Sequence, residues 1–227
     1  MNYTELKAAI QGYTENIFPV TDLANGGTLS SDEQINTFIR QAEQRVYNSI
    51  QFAALRRTVT GNTTPANAYL ACPVDFLAVY SMSVTVSGRV EYLLNKDTNF
   101  IQAAYPQTIY VGVPRFYSLF GAPTGAPAEL TFLLGPTPDA AYPVQLTYFY
   151  YPESIVTAGT SWLGDNFDSV LLYGSLVEAY TFMKGEADML QLYDTKYKEA
   201  LALAKRLGDG MQRQDAYRSG QTRTGVS

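Results

Sequence analysis

The 227-residue sequence contains no histidine and a single cysteine, Cys72. The missing imidazole removes the commonest general base near neutral pH and the commonest metal ligand. One cysteine also excludes disulfide frameworks and Cys/His zinc sites. Since a nucleophilic cysteine usually needs a histidine to accept its proton, we interpret Cys72 as a small buried residue. The sequence therefore predicts neither a metal nor a cofactor.

Charged residues make up only 16% of the chain, and long apolar runs are missing. No segment approaches the roughly 18 consecutive apolar residues of a membrane span, and the start, MNYTELKAAI, has no signal-peptide pattern. The formal net charge of -5 argues against a protein that grips nucleic acid through a basic patch. We expect a globular protein without a membrane segment.

Enzyme motifs are missing as well: there is no phosphate-binding glycine loop and no GxSxG elbow. The acidic pairs Glu186 with Asp188 and Asp165 with Asp168 fall at predicted helix starts, where the helix dipole alone favours acids. We therefore predict no catalytic residues and no enzymatic activity. The opposing hypothesis, a glycoside hydrolase, requires two functional carboxylates roughly 5–9.5 Å apart.

What the chain does contain is 46% hydrophobic residues, enough for a sizeable core. Apolar spacings of three and four predict a helix over residues 2–17. Ser30 and Glu33 form a capping-box pattern that opens a second helix, which runs to about Ile50. Near the other end of the chain, the periodicity returns after SWLG.

The C-terminal helical region is predicted to begin at a cap supplied by Asp165 or Asn166. Gly185 interrupts it, and Gly208 is predicted to be its C-terminal cap. Two apolar stripes are predicted to face inward: Leu172, Leu176, Ala179 and Met183 before the break, and Leu190, Tyr193, Tyr197, Leu201, Ala204 and Leu207 after it.

Between these helices the periodicity is that of strands. Alternating β-branched and aromatic residues are separated by Gly, Pro and Asn clusters. Ser87 and Gly88 suit a hairpin turn, and Asp97 suits the cap of one short helix ended by Pro106. The candidate strands are RRTVT, YLACPV, LAVYSMSVTV, VEYLL, RFYSLF, ELTFLLG and VQLTYFYYP.

Together these patterns predict an α+β protein, with an α-helical bundle of N- and C-terminal helices, a β-rich insertion and an extended C-terminal tail. Single apolar stripes must be buried, so the terminal helices should pack on each other. The predicted segments are 1–55 for the N-terminal helices, 56–158 for the β-rich insertion, 159–208 for the C-terminal helices and 209–227 for the tail.

Two interpretations are open for the tyrosine-rich strand TYFYY. Aromatic residues on both faces of a strand favour a core strand or a subunit contact. The alternative is a glycan-binding surface that recognises sugars through Tyr148, Tyr150 and Trp162, or a stacking platform for bases.

The last residues, DGMQRQDAYRSGQTRTGVS, lack the periodicity of a helix or strand. Such a tail either projects into solvent or is ordered by a partner. Arg213, Arg218 and Arg223 recur every five residues with Tyr217 among them, a combination suited to acidic, partly apolar grooves. Residues 210–227 carry three arginines and one acid, about +2, on a chain that is otherwise about -7.

Several strings together resemble the adaptor proteins, or head-to-tail connectors, that lie beneath the portal ring of tailed bacteriophages. The resemblance covers most of the chain from about residue 37 to 223, and its specificity comes from the order of the strings. They are FIRQAEQRVYNSIQFAALRRTVTG, PVDFL, YLLNKDTNFIQAAYP, LLGPTPDAAYPVQLTYFYYP, WLGDNFDSVLLYGSLVEAYTFMKGEADM and DAYRSGQTR.

The resemblance implies a structural protein of the virion neck, made in the host cytoplasm, that forms a ring of twelve copies. The ring would bind the portal protein above and the tail proteins, nozzle or tail tube, below. It would extend the channel through which DNA passes without specific binding. It also implies portal docking by Arg213, Tyr217, Arg218 and Arg223.

Overall fold

The computed structural model describes residues 1–22, 27–107, 109–121 and 130–218. These residues form helices and mostly antiparallel sheets, so the α+β prediction is confirmed. The chain divides into two compact units. The helical unit consists of Met1–Ala53 with the chain from Pro152 onward, and the β unit is Ala54–Tyr151.

The helices of the described chain follow in sequence order. They are α1 (Tyr3–Thr14), α2 (Ser31–Ser49), α3 (Thr98–Ala104), α4 (Ile155–Ala158), α5 (Trp162–Asn166), α6 (Asp168–Met183) and α7 (Ala187–Arg218). All except α3 belong to the helical unit.

The described strands are short apart from β5, β10 and β3. They are β1 (Thr21–Asp22), β2 (Thr28–Leu29), β3 (Arg56–Asn62), β4 (Tyr69–Ala71), β5 (Phe76–Val86), β6 (Arg89–Tyr92), β7 (Leu94–Asn95), β8 (Phe116–Phe120), β9 (Thr131–Gly135) and β10 (Pro143–Tyr150). Strands β1 and β2 pair antiparallel, with Thr21 opposite Leu29 and Asp22 opposite Thr28.

The N-terminal helices begin at reciprocal caps. Ser30 accepts the Glu33 N–H, and the Glu33 carboxylate accepts the Ser30 N–H at 2.8 Å, which confirms the predicted capping box. Asn2 and Glu5 form the same arrangement at the start of α1. Because each cap satisfies backbone donors that a helix start leaves unpaired, both helices begin at fixed residues.

The cap predicted for the long C-terminal helix is wrong. Asp165 and Asn166 lie inside α5, whose cap is Ser161 with its hydroxyl accepting the Gly164 N–H at 3.0 Å. The chain leaves helical geometry at Phe167, and α6 starts one residue later. Phe167 takes the N-cap position of α6 and forms no side-chain cap hydrogen bond there, so the cap predicted from Asp165 or Asn166 is not formed.

Helix α6 occupies the centre of the helical unit. Its buried residues lie on all sides of the helix, and they include Val170, Leu171, Leu176 and Ala179. It contacts α1, α2, α5 and α7. The helix ends at Lys184 in the left-handed conformation, just before the predicted break at Gly185.

The β unit consists of two four-stranded sheets, ordered β3-β10-β5-β6 and β4-β9-β8-β7. Residues from both sheets form one buried core, in which the largest side chains are Tyr148 of β10 and Phe132 of β9. The turn between β5 and β6 is Ser87–Gly88, both with positive φ, as predicted for this hairpin.

Candidate docking surfaces

Helix α7 carries the segment that the sequence predicts to dock on a partner, and its first half is fixed on α6. Tyr193 is buried among Tyr180, Tyr173 and Tyr13, with ring centroids at 4.9, 6.4 and 6.5 Å. Burial is the main cause that raises the pKa of Tyr193 to about 12. These four rings form an aromatic cluster that joins α1, α6 and α7.

One turn later, α7 contacts α6 at a glycine. A Cβ placed on Gly174 would lie 3.2 Å from the Tyr197 ring and 3.1 Å from the Ala42 Cβ. The Arg45 guanidinium lies 5.8 Å from the Tyr197 ring centroid and pairs with Glu178 of α6. The close approach allowed by Gly174 thus brings α2, α6 and α7 together.

The end of α7 differs from the prediction. The helix does not stop at Gly208 but continues to Arg218, so the first part of the predicted tail is helical in its backbone. No proline follows Gly208, and the good helix formers Lys205, Arg206 and Leu207 precede it. A glycine inside a helix costs about 1 kcal/mol, which does not end a helix by itself.

The four predicted portal-docking residues fall in this region. Arg213, Tyr217 and Arg218 lie in the last turns of α7. Arg223 lies outside the described residues. The structure therefore places three of them on one continuous helix that begins on α6.

A feature that the sequence analysis missed is the outer face of α7. Leu207, predicted to face inward, is exposed, and so are Leu192 and Leu203. Spacings of eleven and four residues put these leucines on one helix face. That spacing was readable in the sequence as a second apolar stripe beside the buried stripe of Tyr193, Tyr197 and Ala204.

Glu43 is the one carboxylate among the described residues whose pKa is clearly raised. Burial raises it, while hydrogen bonds from the Ile155 N–H (2.9 Å) and the Ser154 side chain act in the opposite direction. Its carboxylate caps the start of α4 and joins that helix to α2. The contacts of Glu43 are structural, since no second titratable side chain faces it at hydrogen-bonding distance among the described residues.

In the β unit, polar and aromatic side chains form a second cluster. Asp75 accepts hydrogen bonds from the Tyr148 hydroxyl at 2.7 Å and the Arg57 guanidinium at 2.6 Å. The Arg56 guanidinium lies 4.2 Å from the Tyr80 ring centroid and 5.4 Å from that of Phe149. Both arginines therefore hold the aromatic side chains of this sheet through charge and ring contacts.

The three aromatic residues of the glycan-binding alternative do not form an exposed platform. Tyr148 is buried in the core of the β unit. Trp162, in the helical unit, packs against Phe52 and Phe167 with ring centroids at 4.8 and 5.4 Å. Tyr150 is half-buried beside the core of the β unit, and Trp162 is half-buried within its own aromatic contacts, so the alternative is without support.

Cys72 is partly buried, and burial raises the pKa of its thiol to about 12. The side chain is thus a neutral thiol rather than a nucleophilic thiolate at neutral pH.

Across the residues that the structure describes, no group of three acidic or cysteine side chains is arranged to hold a metal ion. No helix in the same part of the chain has the length and apolar character of a membrane span.

Comparison with protein families identifies the relatives of the chain. The model of the SU10 adaptor protein family matches residues 1–225. The chain belongs to this family. No curated protein matches it.

This adaptor is therefore a structural protein of a bacteriophage, a class that is not one of enzymes, and it is a component of the virion. The match includes the helices of the helical unit, the whole β unit and the segment that contains Arg213, Tyr217, Arg218 and Arg223. Its functional residues are accordingly sought on surfaces that contact other virion proteins, rather than in a catalytic pocket.

Proposed function

We propose that this adaptor forms a twelvefold ring beneath the portal, joins the portal to the tail proteins and extends the DNA channel. The family match over residues 1–225 carries this proposal, because it includes the arginine-bearing C-terminal segment together with both folded units. The tail proteins that receive the ring are of the nozzle or tail-tube type.

The portal-docking element of the proposal is the end of α7 with the residues that follow it. Arg213, Tyr217, Arg218 and Arg223 supply charge and an aromatic ring to a segment that has few aliphatic residues. Guanidinium groups bind carboxylates through paired hydrogen bonds. A partner groove lined by acids would therefore stabilise this segment.

The charge of the chain supports its role as a DNA conduit. The formal net charge is -5, although residues 210–227 carry three arginines and one acid. DNA moves through a channel without being held when the wall offers few cations to its phosphates. In this proposal the basic C-terminal segment binds the portal rather than DNA.

The test is capture of the adaptor by immobilised portal rings. Deletion of residues 209–227 is expected to leave the thermal transition of the folded units in place, with a loss of helical circular dichroism no larger than the removed end of α7 accounts for, while capture falls. Part of the loss should be salt-dependent, because the arginine contacts are electrostatic.

Two matched variants separate charge from geometry. Replacement of Arg213, Arg218 and Arg223 by glutamine should remove the salt-dependent part of capture, and replacement by lysine should retain the charge but lose the paired hydrogen bonds. Capture that is unchanged after the deletion would refute portal docking by this segment. Mass measurement of the captured ring gives the number of copies.

A further inference from the structure

The helical unit exposes two apolar patches that no described part of the chain covers. The first, the α1-end patch, consists of Tyr13, Ile17, Val20 and Phe182, of which Ile17 is 74% exposed and Val20 64%. It lies at the C-terminal end of α6, because the Asn16 side chain contacts the Met183 sulfur at 3.2 Å and the Tyr180 hydroxyl donates to the Tyr13 carbonyl.

The second, the α7 leucine patch, consists of Leu203 and Leu207, which are 61% and 60% exposed. Helix α7 runs antiparallel to α6, since Tyr193 contacts Tyr180 and Tyr197 contacts Gly174. Each further residue of α7 advances about 1.5 Å toward the N-terminal end of α6. The two patches therefore lie toward opposite ends of α6.

The patches carry opposite charge. Residues 1–39 contain five acidic side chains and one basic side chain, and Glu15 and Asp22 flank the α1-end patch. Residues 195–207 contain four basic side chains and one acidic side chain, and Lys205 and Arg206 adjoin the leucines. Neither Lys205 nor Arg206 forms an ion pair with another side chain in the described part of the chain.

We infer that the α7 leucine patch of one copy docks on the α1-end patch of the next copy. Apolar burial would stabilise the contact, and the acidic and basic rims would fix its orientation. Contact of either patch with itself would oppose like charges. Two different, complementary patches at opposite ends of one unit form a heterologous contact, which closes into a ring when the rotation per subunit permits.

This inference rests on the proposed ring and adds the residues that form its subunit contact. It also assigns separate functions along α7. The residues up to Leu207 would bind the neighbouring copy, and the segment from residue 209 would bind the portal. The portal-docking residues therefore stay intact in the variants that test the subunit contact.

The first test is disulfide cross-linking in assembled particles. A Cys72→Ser background removes the native thiol, and Ile17→Cys with Leu207→Cys places one thiol in each patch. A disulfide requires Cα atoms within about 7 Å, whereas α6 spans 16 residues, or about 24 Å. Oxidation should therefore link neighbouring chains and give a ladder of covalent oligomers on a non-reducing gel.

The single-cysteine variants are the matched controls and should remain monomeric on the gel. A dimer formed by Leu207→Cys alone, or an adduct between Leu207→Cys and another virion protein, would overturn the inference, because the leucine patch would then face a different surface. Absence of the ladder in particles that contain the double variant would overturn it as well.

The second test exchanges the charges. Lys205→Glu with Arg206→Glu should weaken ring assembly on the portal by about tenfold or more, since like charges would then meet across the contact. Glu15→Lys with Asp22→Lys should do the same. All four changes in one chain should restore assembly, measured as the number of copies bound per portal.

The outcomes separate the inference from the proposed function. If the wild-type chain does not bind the portal at all, the proposed function fails. If the wild-type chain assembles normally but the fourfold variant stays as weak as either pair, the proposed function stands and this subunit contact is wrong.

Discussion

Glu43 is a carboxylate held at 4% exposure between α2 and α4, where it accepts the Ile155 N–H. Because burial raises its folded-state pKa above the ordinary value of 4.5, the folded protein binds the proton more tightly than the unfolded chain does. Stability from this group is therefore fully present below pH 4.5 and is lost as the pH rises through the raised folded-state pKa.

Glu43→Gln tests this sign, since the amide oxygen keeps the acceptor for Ile155 without carrying a charge. The variant should match the wild type near pH 4 and exceed its free energy of unfolding at pH 7, measured by urea denaturation. Glu43→Leu leaves the Ile155 N–H unpaired and should lose about 1–3 kcal/mol near pH 4. The loss relative to the wild type should be smaller at pH 7, where the wild type carries the cost of the buried charge. A difference between Gln and Glu that is the same at both pH values would show that titration of Glu43 does not affect stability.

Local contacts were the part of the structure that the sequence predicted best. The cap formed by Ser30 and Glu33 and the turn at Ser87 and Gly88 join residues that are neighbours in the chain, so short patterns determine them. The cap predicted at Asp165 or Asn166 was wrong because the chain leaves helical geometry at Phe167, where α5 ends and α6 begins. Phe167 packs on Phe52, which is remote in sequence, so no short pattern predicts this interruption.

At the scale of the helices, α6 can contact α2 and α7 closely because glycine, at position 174, has no side chain. Gly174 faces Ala42 and the buried Tyr197 ring, and neither can move away without disturbing a packed helix. Gly174→Val should lower the free energy of unfolding by about 1–3 kcal/mol through overpacking.

Gly12 supplies the matched control for Gly174. It lies in α1 with open space around the position of a Cβ, so Gly12→Ala should raise stability by roughly 0.5–1 kcal/mol through helix propensity alone. Thermal or urea unfolding of Gly174→Ala beside Gly12→Ala isolates the packing effect from the propensity effect. Equal gains from both alanines would mean that α6 does not pack closely at Gly174.

The faces of the helices were less predictable than their positions. Periodicity located α7 but counted Leu207 among the inward residues, although the structure exposes it together with Leu203. A helix with two apolar stripes gives no indication in sequence of which one is buried within the chain. In this adaptor the buried stripe is the aromatic one, since Tyr193 and Tyr197 fill the space beside Gly174 and Tyr180.

At the scale of the whole molecule, the predicted α+β organisation is confirmed. The structure also shows which parts of the fold carry the acidic and the basic residues. The acidic excess lies in residues 1–39 and 153–194 of the helical unit, whereas α7 has a basic stretch between residues 195 and 207. Composition alone predicted that the molecule as a whole would not hold DNA. It gave no information on where the basic residues lie on the surface.

The final prediction concerns this charge distribution. Fluorescence anisotropy with a labelled 30-base-pair duplex should show no saturable binding of the purified adaptor at physiological salt, at protein concentrations up to about 10⁻⁴ M, the weak end of non-specific DNA affinity. The variant that lacks residues 209–227 should behave identically, since the remaining chain is more acidic still. If the full chain binds DNA and the deletion abolishes this binding, the C-terminal arginines bind DNA instead of the portal. The two roles exclude each other because phosphates and the carboxylates of an acidic groove bind the same guanidinium groups.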